Sequence, residues 1–544
     1  MEYAVIRWAA VFAVAIAIGC QAPALDESES YDVWIQGGTI VDGTGGEPYA
    51  ADLVIAGDTI VYMGNVEFDL HADTAIDATG KVVTPGFIDV HAHGDPLSNP
   101  FDNFLAQGVT TVVLGQDGRT PGFSVDNKPT IEEWRDTIAA PDRDEPVVTL
   151  ARWMKAVEEK GSRTNIATLV GHGSLRHLSG VGSDKDLTDA QQAVMNEILQ
   201  AGLDAGAFGM SSGLEYVPGR NAPKKEVVSL AKIVGANDGV IMSHMRSEDG
   251  AVMDAADTEA VLMHDALEEV LEQGNYARVH VAHIKIVYGK SGEEGEAVLA
   301  TLREARERGI EVSADVYPYL AGMSNFYFLY PIWARERPVF EDAVKHDRKR
   351  LAEDMFERVT WRGGADKALI ASGEYTNKNL AEIADMQGKP FVDVIIDWGY
   401  GGPSTAHFTQ NPELQDVFIT SPDVAIGTDG SPTMRHPRSY GTYAKIIQEY
   451  VVATDRMTLP VAVRKMSGLP AQIVGLEDRG TLAVGNKADV LVFAPEAVKA
   501  TATWAEPRQH PEGFDYIIVN GRVAVASGEL ADESFGRILR KQKN

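Results

Sequence analysis

Cysteine is almost absent, Cys20 being the only one in 544 residues. A lone thiol closes no disulfide within the chain and builds no Cys-x-x-Cys metal knuckle. Positive charge is also short, with 49 Lys and Arg against 79 Asp and Glu and a formal net charge of −30. That balance argues against a basic face for nucleic acid or anionic lipid. No Gly-x-Gly-x-x-Gly turn stands between a strand and a helix opening, so the usual cradle for nucleotide phosphates is missing. What is present is an ordinary globular composition, 44% hydrophobic and 24% charged. Such a chain can bury a large core and form one large domain with a smaller one.

At the N-terminus, Arg7 precedes an apolar run from Trp8 to Ile18, followed by Gly19 and Cys20. The run has the length of a signal-peptide core and is too short to span a bilayer. The stretch Ala17-Ile18-Gly19-Cys20 resembles a bacterial lipobox, which implies cleavage before the cysteine and its acylation; ordinary secretion is the alternative. Residues 1–20 are then a lipoprotein signal peptide and residues 21–30 a linker. The expected location is the bacterial periplasm or cell surface, with membrane contact only through the lipid on Cys20. A lipidated Cys20 leaves the mature chain with no catalytic thiol and no thiolate metal ligand.

From Tyr31 to residue 84, VWIQGGTIVDG, ADLVIAGDTIVYMG and TAIDATGKVVTPG alternate apolar and polar residues between Gly-rich turns, the pattern of short strands. GTLAVGNKADVLVF and YIIVNGRVAVASGE repeat it within residues 472–530. The two chain ends are expected to build one small β-sandwich domain together. Between them, over residues 85–471, eight apolar strand-like runs alternate with amphipathic stretches such as Asp189 to Ala205 and Glu296 to Arg308. Alternation of this kind signals βαβ units and a parallel sheet. Eight units predict an α/β fold of the (β/α)₈ TIM-barrel type, whose active site lies at the C-terminal ends of the strands. Each run ends in polar residues at that edge, which a barrel built only for stability has no reason to gather there. The segment from about 325 to 416 opens with the aromatic-rich NFYFLYPIW and reads as an inserted subdomain or lid.

His91 and His93 stand two apart at the end of the first run, so their side chains leave the strand on one face. His244 ends the fifth run, His283 the sixth and Asp429 the eighth. Neutral imidazoles and carboxylates hold zinc at about 2.0 to 2.2 Å and leave a position open for water. A bound ion lowers the pKa of that water toward roughly 7 and polarises a carbonyl. A neighbouring carboxylate can then carry a proton to a leaving nitrogen, and Asp429 is the candidate. Isolated histidines such as His71, His264, His346 and His510 read as packing or surface residues. His280, three before His283, is expected to face the other side of its strand in a structural role. His172 and His177, flanking the third run's end, are open between lining the site and packing. Ser211 and Ser212 do not sit in a nucleophile elbow, which excludes a serine hydrolase.

The motif Pro85-Gly86-Phe87-Ile88-Asp89-Val90-His91-Ala92-His93, opening a barrel after a β module, resembles the amidohydrolase superfamily. His244, His283 and Asp429 match the positions of that superfamily's next two imidazoles and its catalytic aspartate. Longer motifs are similar to the D-aminoacylase, or N-acyl-D-amino-acid deacylase, group: Gly171-His172-Gly173-Ser174-Leu175-Arg176, Ser211 to Gly219, Ser243-His244-Met245-Arg246, His283-Ile284-Lys285, Tyr317-Pro318-Tyr319 and His436 to Thr442. With both β modules they cover most of Tyr31 to about Phe493. The resemblance implies a zinc-dependent hydrolase, with one or two zinc ions per chain, that splits the amide bond of N-acyl-D-amino acids into a carboxylate and a free D-amino acid.

In that group a cysteine at the end of the second strand joins the residues matching His244 and His283 around the tightly held zinc. Here the second run ends Gly115-Gln116-Asp117-Gly118, with Asp117 in the cysteine's place. A carboxylate can ligate or bridge zinc, so Asp117 is expected to take over in a harder site. That site is either dinuclear, with His91 and His93 on a second ion, or selective for another metal. The group's substrate carboxylate is met by residues matching Lys285, Tyr317 and Tyr216 and by a serine, whose spacing lands on Met323 with Ser324 one place on. Arg438 and Arg176 are further cationic candidates, since a guanidinium grips a carboxylate bidentately.

Two other readings stay open. One keeps the metal centre in a dipeptidase or a cyclic amide or lactone hydrolase. The other is a lipid-anchored binding protein without turnover. The expected partner is a small N-acylated amino acid, and the oligomeric state is not readable.

Overall fold

The computed structural model describes residues 25–123, 149–251 and 261–542. The signal peptide, Cys20 and residues 21–24 of the linker lie outside them. Strands from both chain ends hydrogen-bond together. Tyr31–Ile40 pairs antiparallel with Tyr49–Ala56, which pairs with Thr59–Gly64, while Ala72–Asp77 and Val82–Pro85 run parallel to the first strand. Val82–Pro85 takes Val490–Phe493 on its other edge, and Phe514–Val519, Arg522–Ala526 and Glu529–Leu530 continue in order. The nine strands form one connected sheet. Alternate residues point the same way along a strand, so Val33, Ile35, Leu53, Ile55, Val490, Val492 and Ile518 share one core. The second contribution starts later than residue 472, which falls inside helix Leu469–Val474; Leu469, Ile473 and Val474 pack with residues of the barrel interior.

The barrel strands are Phe87–Asp89, Val109–Leu114, a third running over 165–171 with a break at Leu169, Gly209–Gly213, Val240–His244, Arg278–Val281, Val312–Val316 and Val424–Ile426. All neighbouring pairs are parallel. A parallel bridge between Ala92 and Gly430 closes the eighth strand onto the first. These strands are nearly continuous apolar runs because both faces are covered. Val90, Val113, Ala167, Leu169, Phe208, Val240, Met242 and Ala425 cluster inside, and the opposite faces pack on the helices. The helix Asp189–Asp204 shows the local logic. Thr188 and Gln191 form a capping box at its start, and Met195, Ile198, Leu199 and Leu203 place one apolar stripe against the core.

Between the seventh and eighth strands the chain leaves the barrel. Gly322–Ser324, Thr405–His407 and Ala368–Ile370 form a three-stranded antiparallel sheet. Helices including Arg337–His346, Arg348–Trp361 and Phe391–Trp398 surround it, and Phe326, Tyr330, Phe340, Leu351 and Ile395 give the unit its own core. The insertion therefore starts a little before residue 325 and closes near His407. Helix Pro412–Thr420 belongs to the barrel, since Leu414, Phe418 and Ile419 join the barrel's own core.

Candidate metal centre

His91 and His93 follow the first strand directly. The His91 backbone N–H donates to Asp89 Oδ1 at 3.1 Å, and the backbone N–H and hydroxyl of Thr428 donate to the same carboxylate at 3.0 and 2.5 Å. Asp89 thus clips the first strand to the eighth, and burial pushes its carboxyl up to about 7. Across that seam the backbone N–H of Asp429 donates to His91 O, and that of His93 to Gly430 O, both at 2.8 Å.

Asp117 stands in a sharp turn after the second strand. Its φ is +54°, and Gly115 and Gly118 beside it have φ +89° and +75°. A Cβ on Gly118 would lie 3.0 Å from Gly213 N and 3.1 Å from Gly173 N, so glycine meets both demands of the turn. Gly118 N–H donates to Ser211 Oγ at 3.0 Å, and the Ser211 hydroxyl donates to Gly115 O. Ser211 is thus a brace for the turn that aims Asp117.

His91 Nε2 lies 3.5 Å from Asp117 Oδ1 and 3.9 Å from Asp429 Oδ1; His93 Nε2 lies 3.6 Å from Asp117 Oδ2 and 3.2 Å from Asp429 Oδ1. On the other side of Asp117, His244 Nδ1 and His283 Nε2 stand 3.8 and 3.6 Å from Oδ1 and 2.9 Å from each other. Two ligand atoms on one tetrahedral ion at about 2.1 Å stand about 3.4 Å apart, close to most of these spacings. Two ligand sets share Asp117, namely His91, His93, Asp117 and Asp429 in one and Asp117, His244 and His283 in the other, and Glu215, His244 and Glu248 stand close enough together to form a third group. His91 Nε2 and Asp117 Oδ1 are buried without a hydrogen-bond partner among the described residues. Buried polar atoms left so are costly, and a cation between them satisfies both. The residues therefore fit a pair of metal ions.

Three of these residues have left-handed backbone, with φ of +54° at Asp117, +38° at His283 and +46° at Asp429. Non-glycine residues there cost about 1–3 kcal/mol each and cluster at functional sites. Each kink turns a side chain back over the barrel mouth. Outer partners orient the rings. Glu215 Oε2 lies 3.3 Å from His244 Nε2, and Glu248 Oε1 3.1 Å from His283 Nδ1. Lys285 Nζ donates to Glu248 Oε1 at 2.6 Å. Arg438 Nη1 stands 2.8 Å from Asp429 Oδ2. Burial pushes the Asp429 carboxyl up, but Arg438 and then His93 outweigh it and hold it far below the usual carboxylate range.

Tyr216, Lys285, Tyr317, Met323, Ser324 and Asp429 line one cleft over the centre, with Phe328, Arg362 and His407 on the same walls. Tyr317 OH accepts from Gln410 Nε2 at 2.9 Å. Arg438 is withdrawn behind this wall, its guanidinium 4.6 Å over the Tyr317 ring.

Arg176 is corrected. It is fully buried and donates to both Glu226 oxygens at 2.8 and 2.6 Å and to Gly182 O and Asp184 O. His172 Nε2 shares Glu226 at 2.8 Å, so both are structural. His280 is also placed differently. It lies under the metal ligands, bonded to Asp315 Oδ1 and Ser313 Oγ at 2.8 Å each, and Asp315 Oδ1 accepts the His283 N–H at 3.0 Å. Strand alternation does not carry from His280 to His283, because the strand ends at Val281 and the chain kinks. Sequence reasoning passed over Glu215 and Glu248, although one adjoins Tyr216 and the other follows His244 by four. Arg362 and His407 carry no local signal.

A parallel barrel whose mouth holds two imidazole pairs joined by one carboxylate, with an aspartate at the eighth strand, defines a metal-dependent hydrolase. The chain belongs to the amidohydrolase family, whose model matches residues 74–525. It is 32% identical over 520 residues to N-acyl-D-glutamate deacylase of Alcaligenes xylosoxydans xylosoxydans, covering 94% of this chain and 97% of that one. To D-aminoacylase of the same organism it is 29% identical over 527 residues, covering 95% and 99%. Among solved structures it is similar to N-acyl-D-glutamate deacylase from Bordetella bronchiseptica complexed with zinc and a phosphonate inhibitor. That likeness has a TM-score of 0.77 at 30% identity and covers 94% of this chain and 100% of that one.

Proposed function

We propose that this chain is a zinc-dependent deacylase that hydrolyses N-acyl-D-amino acids to a carboxylate and a free D-amino acid. The observation that carries the reading is Asp117 between the two histidine pairs and beside Asp429, which lines the cleft together with His244 and His283. The deacylases named above support it. Held by His91, His93, Asp117, His244, His283 and Asp429, zinc would supply polarisation of the acyl carbonyl and of a water molecule. Asp429, kept ionised by Arg438, would take a proton from the water as the water oxygen bonds to the acyl carbon and pass it to the amide nitrogen as the C–N bond breaks. Tyr216, Tyr317 and Ser324 offer hydroxyls to the substrate's α-carboxylate, and Lys285 adds a cation shared with Glu248.

Zinc-loaded protein should release free amino acid from N-acetyl-D-amino acids faster than from the L-enantiomers. Turnover of dipeptides or cyclic amides alone would replace the substrate class. Protein that takes up no zinc and turns over no amide would leave a binding protein.

The lipobox-like stretch before Cys20 supports a periplasmic or cell-surface protein anchored by lipid. The Cys20→Ser variant should leave the membrane fraction in a bacterial host; a wild type already wholly soluble would overturn this.

A further inference from the structure

The inserted subdomain sends one cation into the cleft. Arg362 follows helix Arg348–Trp361, its side chain is 6% exposed, and it lines the same cleft as Lys285, Tyr317 and Asp429. Its guanidinium lies over the Phe328 ring, 5.4 Å from the centroid. Asp249 Oδ1 stands 3.5 Å from Nη1, while the same carboxylate already takes Arg358 at 3.2 and 3.3 Å. Among the described residues these two guanidiniums share this one carboxylate, so one of the two charges is left without a counter-ion of its own there. Arg362 Nε is buried without a partner among the described residues. Its neighbour on the cleft wall, His407, adds no negative charge: its Nε2 bonds to Asn325 O at 3.0 Å, and burial and then Arg362 push its pKa down to about 3.

A buried cation without its own counter-ion is costly unless an anion arrives to pair with it. Lys285 is not in that position, because Glu248 neutralises it at 2.6 Å. A guanidinium with free donors in a desolvated wall suits a carboxylate, which it can grip with two parallel hydrogen bonds.

We propose that Arg362 is a specificity-determining residue that grips a second anionic group of the substrate, so that N-acyl amino acids carrying a carboxylate beyond the α-carboxylate are preferred. The inference rests on the deacylase reading above. The second carboxylate can come from the amino-acid side chain or from a dicarboxylic acyl group, and the test separates these.

Zinc-loaded wild type, Arg362→Gln and Arg362→Lys are assayed on N-acetyl-D-glutamate, N-succinyl-D-methionine and N-acetyl-D-methionine, with a thermal melt to show that each variant is folded. The wild type should favour one of the two dianionic substrates over N-acetyl-D-methionine, and which one names the source of the carboxylate. In Arg362→Gln the ratio of kcat/KM, dianionic over monoanionic, should fall at least about tenfold, chiefly through KM, as expected for a lost charged hydrogen bond. Arg362→Lys should lie between. An equal loss on all three substrates marks a structural role and overturns the proposal, as does an unchanged ratio. If the wild type hydrolyses none of them, the deacylase reading has failed and binding decides the role of Arg362. A rise in melting temperature with glutarate, absent with butyrate and lost in Arg362→Gln, then supports the anion site, and no such difference refutes it.

Discussion

Replacing Asp117 by asparagine should weaken both metal sites together. Oδ1 of Asp117 faces His91, His244 and His283 at 3.5, 3.8 and 3.6 Å, and Oδ2 faces His93 at 3.6 Å. Asparagine keeps the shape and tolerates the left-handed backbone at φ +54°, so the change removes charge and one donor oxygen with little strain. A structural zinc site of four ligands is worth about 10–16 kcal/mol, or roughly 3 kcal/mol per ligand. Loss of one charged ligand therefore predicts about a hundredfold weaker zinc affinity, two decades being about 2.7 kcal/mol. The assay is zinc titration of apo protein against a chromophoric chelator, with elemental analysis after dialysis. The Asp117→Cys variant supplies a softer thiolate and should recover tight binding of one ion. If Asp117→Asn holds two zinc ions with affinities within threefold of the wild type, Asp117 is not a ligand and the account of the centre is wrong.

At saturating zinc, Asp429→Asn should lower kcat by about two to four decades, the usual worth of a positioned proton carrier; a loss under tenfold would place proton transfer elsewhere. Removing zinc with a chelator should lower the melting temperature, since an ion at 100 times its Kd contributes about 2.7 kcal/mol to the folded state; identical melts with and without metal would contradict the two-set centre. Glu226→Gln should destabilise the barrel by about 3–5 kcal/mol, because it breaks a buried ion pair with Arg176 and His172. Burial raises the Glu226 carboxyl, but His172 and Arg176 hold it below its ordinary 4.5. The unfolded chain therefore binds the proton first on acidification, and the stabilisation present above pH 4.5 fades below it. Denaturant melts at pH 7 and pH 4 should show the gap between wild type and variant narrowing at the lower pH; a gap that does not change would refute this.

The sequence by itself determined the barrel and the type of chemistry. Period-two alternation at both chain ends, apolar runs between amphipathic stretches, and His91, His93, His244, His283 and Asp429 at run ends are local signals, set by side-chain period and strand burial. The aspartate at the end of the second run was equally readable, while Lys285, Tyr216, Tyr317 and Ser324 were legible only through the resemblance to the D-aminoacylase group. What the sequence left open depends on distance across the barrel. That one carboxylate sits between both histidine pairs and that Glu215 and Glu248 orient His244 and His283 follow from strands brought side by side by closure, and that Arg438 backs Asp429 follows from the turn of the chain after the eighth strand into helix Arg438–Lys445. Arg176 shows the limit from the other direction: its charge suggested a substrate anchor, yet Glu226, fifty residues away, consumes it. Arg362 reaches the cleft only because the inserted subdomain has its own core and docks as a unit, which no local pattern encodes. Chain period decides which way a side chain leaves its own strand; only the closed tertiary structure decides what it meets.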